Sequence, residues 1–104
     1  MAPPERAESD WTFVSNHFLV LLVIAEDPGI RMSDVADRLG VTERAVQRIV
    51  RDLVDAGYLK RTRVGRRNHY EIHEELPLRH LETQHRHLAE LLALISERQA
   101  TRNS

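Results

Sequence analysis

The stretch from Ile30 to Ile72, IRMSDVADRLGVTERAVQRIVRDLVDAGYLKRTRVGRRNHYEI, decides how this chain folds. Ile30-Arg31-Met32 read as a short extended lead-in. Ser33 is a good helix N-cap, and Asp34 falls in the positive first turn. Val35, Ala36 and Leu39 then recur at helical spacing. Gly40 follows, where a chain turns through positive φ without a Cβ penalty. Thr42 caps a second helix with Glu43 in its first turn. Two short helices joined by a few residues that include Gly form a helix-turn-helix.

The second helix of this pair carries the chemistry. Ala45, Val46, Ile49, Val50, Leu53, Val54 and Ala56 make one apolar stripe, so that face belongs to the core. The opposite face presents Thr42, Glu43, Arg44, Gln47, Arg48, Arg51, Asp52 and Asp55. A helix that enters a DNA major groove does so by its N-terminal residues. Arg forks onto guanine and Gln onto adenine. Arg44, Gln47 and Arg48 are therefore candidates for base edges, and Thr42 and Arg51 for phosphates. An isolated helix of this kind can equally be a solvated face, with Asp52 and Asp55 as i,i+4 partners of its arginines. The segment that follows favours the first reading.

Gly57 ends the helix, Tyr58 to Thr62 reads as a strand, and Asn68 to Ile72 as its return. The turn expected between them is Arg63-Val64-Gly65-Arg66-Arg67. Lys60, Arg61, Arg63, Arg66 and Arg67 crowd the tip of this hairpin. Such clustering repels itself unless a polyanion lies near, and a hairpin of this kind lies along phosphate or enters a minor groove. Arg63, Arg66 and Arg67 complete the candidate site. The pattern predicts a mainly α fold with a small β-hairpin wing, a winged helix-turn-helix with flanking dimerisation helices.

The charge distribution agrees. The chain has 104 residues and a net charge of −1. Residues 31–70 hold ten basic and five acidic side chains, so this segment is +5 and the remainder −6. A basic binding surface on an acidic body fits that asymmetry. The length predicts one domain, residues 10–98, between disordered tails at 1–9 and 99–104. Cysteine is absent, which excludes disulfides, thiolate metal sites and thiol redox sensing. The longest apolar run, Phe18 to Ala25, is far too short to span a bilayer. With no signal-peptide layout, the expected location is the cytoplasm, with no membrane partner. No Cys nucleophile, Gly-rich phosphate loop or carboxylate pair with a base points to catalysis, so no enzyme activity is expected.

Two further helices flank the core. Ser9 or Asp10 can cap a first helix from about Trp11 to Glu26, ended by Asp27-Pro28-Gly29. It is apolar nearly all round, so more than one side must be covered. A last helix is expected after Glu74-Glu75-Leu76, with Pro77 in its first turn. Leu78, Leu81, His85, Leu88, Leu92 and Ile95 follow at heptad spacing. This seam and the spare face of the first helix predict a homodimer with two recognition helices for two half-sites.

The segment Ser33 to Val50 resembles the helix-turn-helix of bacterial and archaeal winged-helix regulators. Asp52-Leu53-Val54-Asp55-Ala56-Gly57-Tyr58-Leu59-Lys60-Arg61 is similar to the passage from their recognition helix into the wing. The resemblance covers about residues 12–95, is most specific over 33–72, and is closest to the MarR and ArsR groups. It implies a dimeric transcription factor that binds operator DNA. The function expected of the chain is sequence-specific regulation from an inverted-repeat operator in double-stranded DNA, with repression expected over activation though the residues leave both open. By the same resemblance the DNA-facing residues are Thr42, Arg44, Gln47, Arg48, Arg51, Arg63, Arg66 and Arg67. The alternative is a winged helix that serves protein–protein interaction without specific DNA binding, since fold does not fix function.

Six histidines raise the question of a metal. His87 and Glu90 stand at i, i+3, with His80 two turns earlier on the expected helix, a spacing some zinc sites use. Arg79 and Arg86 bring positive charge close to them, and the acid-x-His pair of ArsR-type zinc sensors is missing. The expectation is no metal and no cofactor. His85 falls on the heptad seam, where a buried imidazole can set register or respond to pH.

Overall fold

The computed structural model describes residues 11–103. It contains helices α1 (Asn16–Glu26), α2 (Met32–Leu39) and α3 (Glu43–Asp55), strands β1 (Leu59–Val64) and β2 (Arg67–Ile72), and helix α4 (Leu88–Asn103). The two strands form one antiparallel hairpin. Four helices and a hairpin in this order are the expected winged helix-turn-helix.

The core is continuous across these elements. Val20 and Ile24 of α1, Val35 of α2 and Val46 of α3 are its most deeply buried side chains. Phe18, Ile49, Leu53, Leu59, Tyr70, Leu88 and Leu92 close around them. Helix α1 packs on α2, α3 and β2. The single chain thus covers most of the all-round apolar surface of α1, leaving Leu19 and Leu22 half-buried. The spare face expected of this helix is largely taken up within the chain.

Helix α1 begins at Asn16, later than expected, because Ser15 is its N-cap and accepts from the Phe18 N–H at 3.2 Å. Trp11 to Ser15 are not helical, and the alternative caps Ser9 and Asp10, like the tail over 1–9, lie outside the described residues. Helix α2 starts before Ser33. Arg31 holds the extended N-cap conformation, and its carbonyl accepts from Val35 at 3.1 Å. Ser33 therefore sits inside the first turn rather than capping it.

The helix-turn-helix follows its local signals. Gly40 adopts φ 70°, and the N–H groups of Gly40 and Val41 both reach the Ala36 carbonyl. Thr42 accepts from the Ala45 N–H at 3.0 Å, satisfying one orphan donor at the start of α3. At the far end Gly57 takes φ 91°, and the Tyr58 N–H returns to the Leu53 carbonyl at 2.9 Å. The wing is longer and tighter than expected. Arg63 pairs with Asn68 and Val64 with Arg67, so only Gly65 and Arg66 form the turn.

The segment after the wing departs from the heptad reading. Residues 77–87 double back instead of coiling. Pro77 bridges to His87, Leu78 donates to the Arg86 carbonyl at 2.9 Å, and Leu88 donates to the Leu76 carbonyl at 2.9 Å. The Tyr58 hydroxyl donates to the Pro77 carbonyl and anchors this loop on the core. Leu81 and His85 are exposed and belong to no helix. The seam from Leu78 to Ile95 does not form. Helix α4 starts at Leu88, and Leu88 and Leu92 enter the chain's own core. Its backbone remains helical to Asn103, through the stretch expected to be a tail from Gln99.

Candidate nucleic-acid interface

On α3 the buried stripe is Val46, Ile49, Val50 and Leu53. By the helical period, Arg44, Arg48, Arg51 and Asp55 lie opposite it, and all four are exposed. Glu43 and Gln47 occupy the flank toward the wing, with the Gln47 amide donating to the Glu43 carboxylate at 3.5 Å. Ala45 and Asp52 occupy the flank toward α1.

The surface divides accordingly. Gln47 and Arg51 line a groove with Arg61, Asn68 and Tyr70 of the hairpin. Arg48 lines the groove on the other side, with Asn16 and His17 at the start of α1. Thr42 is exposed, and its hydroxyl oxygen is engaged by the Ala45 N–H, which leaves its own proton free to donate. Arg63 shares its hairpin face with Arg61 and Tyr70, two cross-strand pairs nearer the tip. Arg66 and Arg67 line a groove against the start of α2.

Electrostatically these cations are uncommitted. Among the described residues, the arginines in ion pairs are Arg38 with Glu26 and Arg86 with Glu90. Asp52, the expected i,i+4 partner of Arg48, is instead engaged by His17, whose Nε2 lies 2.9 Å from Asp52 Oδ2. Asp55 makes no ion pair among the described residues. The reading in which the α3 arginines are neutralised along their own helix is not what the structure contains.

The sequence candidates thus come together on the exposed face of α3 and on the wing, with Gln47 and Arg51 toward the hairpin and Arg48 toward α1. Arg61, Asn68 and Arg31 line the same surface and were not among them. Arg61 was legible as part of the basic cluster, but its approach to Arg51 depends on the hairpin register. Arg31 carried no local signal at all.

The histidine arrangement read from an extended last helix is not present. His80 lies in a turn, its Nδ1 accepting from the Glu82 N–H at 3.0 Å. Glu90 is occupied at the start of α4, accepting from the His87 N–H at 2.9 Å and from Arg86 at 2.8 Å. These bonds hold its carboxyl below the usual value near 4.5, the backbone bond from His87 first and the Arg86 side chain next. Among the described residues no three His, Asp or Glu side chains are grouped as a metal ion requires. No helix among them is long and apolar enough to cross a membrane.

Residues 12–67 match the family model described as "MarR family". The "HTH-type transcriptional regulator PetP" of Rhodobacter capsulatus is 33% identical over 75 residues, which are 72% of this chain and 45% of that protein. The chain thus spans less than half the length of this relative. The family model speaks for the MarR half of the expected MarR/ArsR likeness. The matched residues run from the approach to α1 through both helices of the helix-turn-helix into the hairpin, and the chain belongs to the MarR family.

Proposed function

We propose that this protein is a sequence-specific, double-stranded DNA-binding transcriptional regulator that acts as a homodimer. The observation that carries this reading is the exposed face of α3 beside the basic hairpin, with Arg44, Arg48, Arg51, Arg63, Arg66 and Arg67 free of ion-pair partners among the described residues. Arg44, Gln47 and Arg48 read base edges in the major groove, where each good bidentate contact is worth about 1–3 kcal/mol of discrimination. Thr42 and Arg51 hold the phosphates beside it. Arg63, Arg66 and Arg67 carry the wing onto the backbone or into the minor groove.

A dimer is supported by apolar surface that the protomer leaves uncovered. Trp11, Phe13, Leu81 and Leu94 are exposed. An open groove of 530 Å³ runs between the approach to α1 and the start of α4, lined by Phe13, Phe18, Leu78, Leu88 and Leu91 among others. Exposed apolar side chains together with an open apolar groove suit an interaction site. In this reading the two-fold axis lies there, and the two α3 helices read an inverted repeat with half-sites about one DNA turn apart. Occupation of such an operator blocks access to the promoter, so repression is the proposed mode of control, in the cytoplasm where the DNA is.

The test is selection from a random duplex library, followed by sequencing, at two salt concentrations. An inverted-repeat motif is the expected result. Affinity that collapses with salt and yields no motif would reduce the protein to a non-specific binder. No binding at low salt would favour a protein-interaction module.

A further inference from the structure

A second groove, of 440 Å³, opens between the start of α2 and the wing. Arg31 and Ser33 stand on one wall, Arg66, Arg67 and Asn68 on the other. Its floor is apolar and fixed, since Ile30 and Tyr70 are buried. The walls are joined by two contacts. The Tyr70 N–H donates to the Pro28 carbonyl at 3.1 Å. The His69 ring packs against Gly29, where an added Cβ would stand 3.3 Å from its Cε1. The wing and the α1–α2 connection therefore hold the groove as one unit.

Its electrostatics are one-sided. Arg31, Arg66 and Arg67 have no carboxylate partner among the described residues. The acid that lines the groove, Glu43, stands on the α3 side, where its carboxylate takes the Gln47 amide. Three guanidinium groups around one cleft repel each other unless an anion enters, and guanidinium matches phosphate by forked, charge-assisted hydrogen bonds. Asn68 and the Ser33 hydroxyl add neutral donors. Met32, Asn68 and Tyr70 line both this groove and the one that holds Gln47 and Arg51, so the cleft continues the face proposed to read bases.

We propose that this groove seats a backbone phosphate of the duplex whose major groove α3 reads, and that Arg31 is the residue that grips it from outside the recognition helix and the wing. The inference rests on the proposed DNA-binding function. It adds a third anchor, one that fixes how far α3 enters the major groove and carries no sequence information. Arg31 suits this role because its side chain makes no bond to the α2 backbone. Replacing it leaves the helix start intact.

The experiment is duplex binding across a salt series with the full chain, its Arg31→Ala and Arg31→Lys variants, and Arg38→Ala as the control already paired to Glu26. Each phosphate contact contributes about 0.9 to the slope of log affinity against log salt. Arg31→Ala should flatten the slope by about that amount, weaken specific and random duplexes by the same factor, and leave the selected motif unchanged. Arg31→Lys should restore the slope, and Arg38→Ala should not alter it. Wild-type binding with an unaltered slope in Arg31→Ala would overturn the phosphate seat while leaving the DNA-binding reading standing. A changed motif would make Arg31 a base reader and overturn it equally. Saturation of wild type by millimolar inorganic phosphate, lost in Arg31→Ala with no change in the DNA slope, would assign the groove to a free anion instead. Absence of duplex binding by the wild type would remove both readings together.

Discussion

His17, in the first turn of α1, engages Asp52 on α3 at 2.9 Å and thereby occupies the carboxylate that helical spacing offers to Arg48. Both side chains are about half exposed. The contact matters less for stability than for what it leaves available. Removing His17 frees Asp52 to pair with Arg48, an i,i+4 contact worth about 0.2–0.5 kcal/mol on a helix surface. His17→Ala should weaken operator binding by up to about twofold at low salt. Asp52→Asn, which removes the competitor, should not. Titration of both variants against one selected duplex distinguishes them, and equal affinities would show that Asp52 does not compete for Arg48.

Arg48 and Arg66 should fail in different ways. Arg48→Ala is expected to cost about 1–3 kcal/mol on the selected sequence and to relax the choice of one base pair. Arg66→Ala should weaken all duplexes alike and flatten the salt dependence. Parallel titrations with the operator and a scrambled duplex measure both. If Arg48→Ala lowers the two affinities equally, its role as a base reader is wrong.

Leu94 tests the dimer. Its side chain is 69% exposed in the protomer, so Leu94→Glu should leave the fold intact. A leucine buried at an interface contributes about 1.5–3 kcal/mol, and a two-fold axis uses it twice. The dimer constant should therefore weaken by at least roughly tenfold. Sedimentation velocity at several concentrations reads this directly, and an unchanged dimer would place the interface elsewhere.

Glu90 is expected to make stability pH-dependent at the start of α4. Its folded-state pKa is lowered by the His87 N–H and by Arg86. A lowered carboxyl pKa adds stability that is fully present above the ordinary value near 4.5 and is lost as pH falls through the folded value. Glu90→Gln should melt below wild type at neutral pH, and the gap should close on acidification below 4.5. A gap independent of pH would mean that the carboxylate charge has no part in holding this helix end.

Much of the fold was legible because its signals are local. Thr42 caps α3 through a bond to a residue three positions on, and Gly40 and Gly57 take positive φ wherever a helix must stop and turn. The stripe Val46, Ile49, Val50, Leu53 repeats with the helical period regardless of what covers it. The clustering of arginines in the hairpin is visible in any register. These features determined the order helix, turn, helix, wing, and marked the surface proposed here to meet DNA.

Other features depended on contacts between distant segments. Heptad spacing from Leu78 to Ile95 is compatible with a helix, but Pro77 pairs with His87 and Leu88 docks on Leu76, so the first half of that spacing forms a loop. The spacing of Leu88 and Leu92 suits a seam for a partner, yet they fill the chain's own core, because burial there removes their apolar surface from water without the entropy cost of association. Arg31 has no neighbour in sequence that marks it, and it meets Arg66 and Arg67 only because Tyr70 ties the wing to Pro28. The sequence by itself determined the recognition unit through periodicity and caps. Only the tertiary structure decided the path after the wing and the company of each arginine, since both follow from long-range packing that no local pattern encodes.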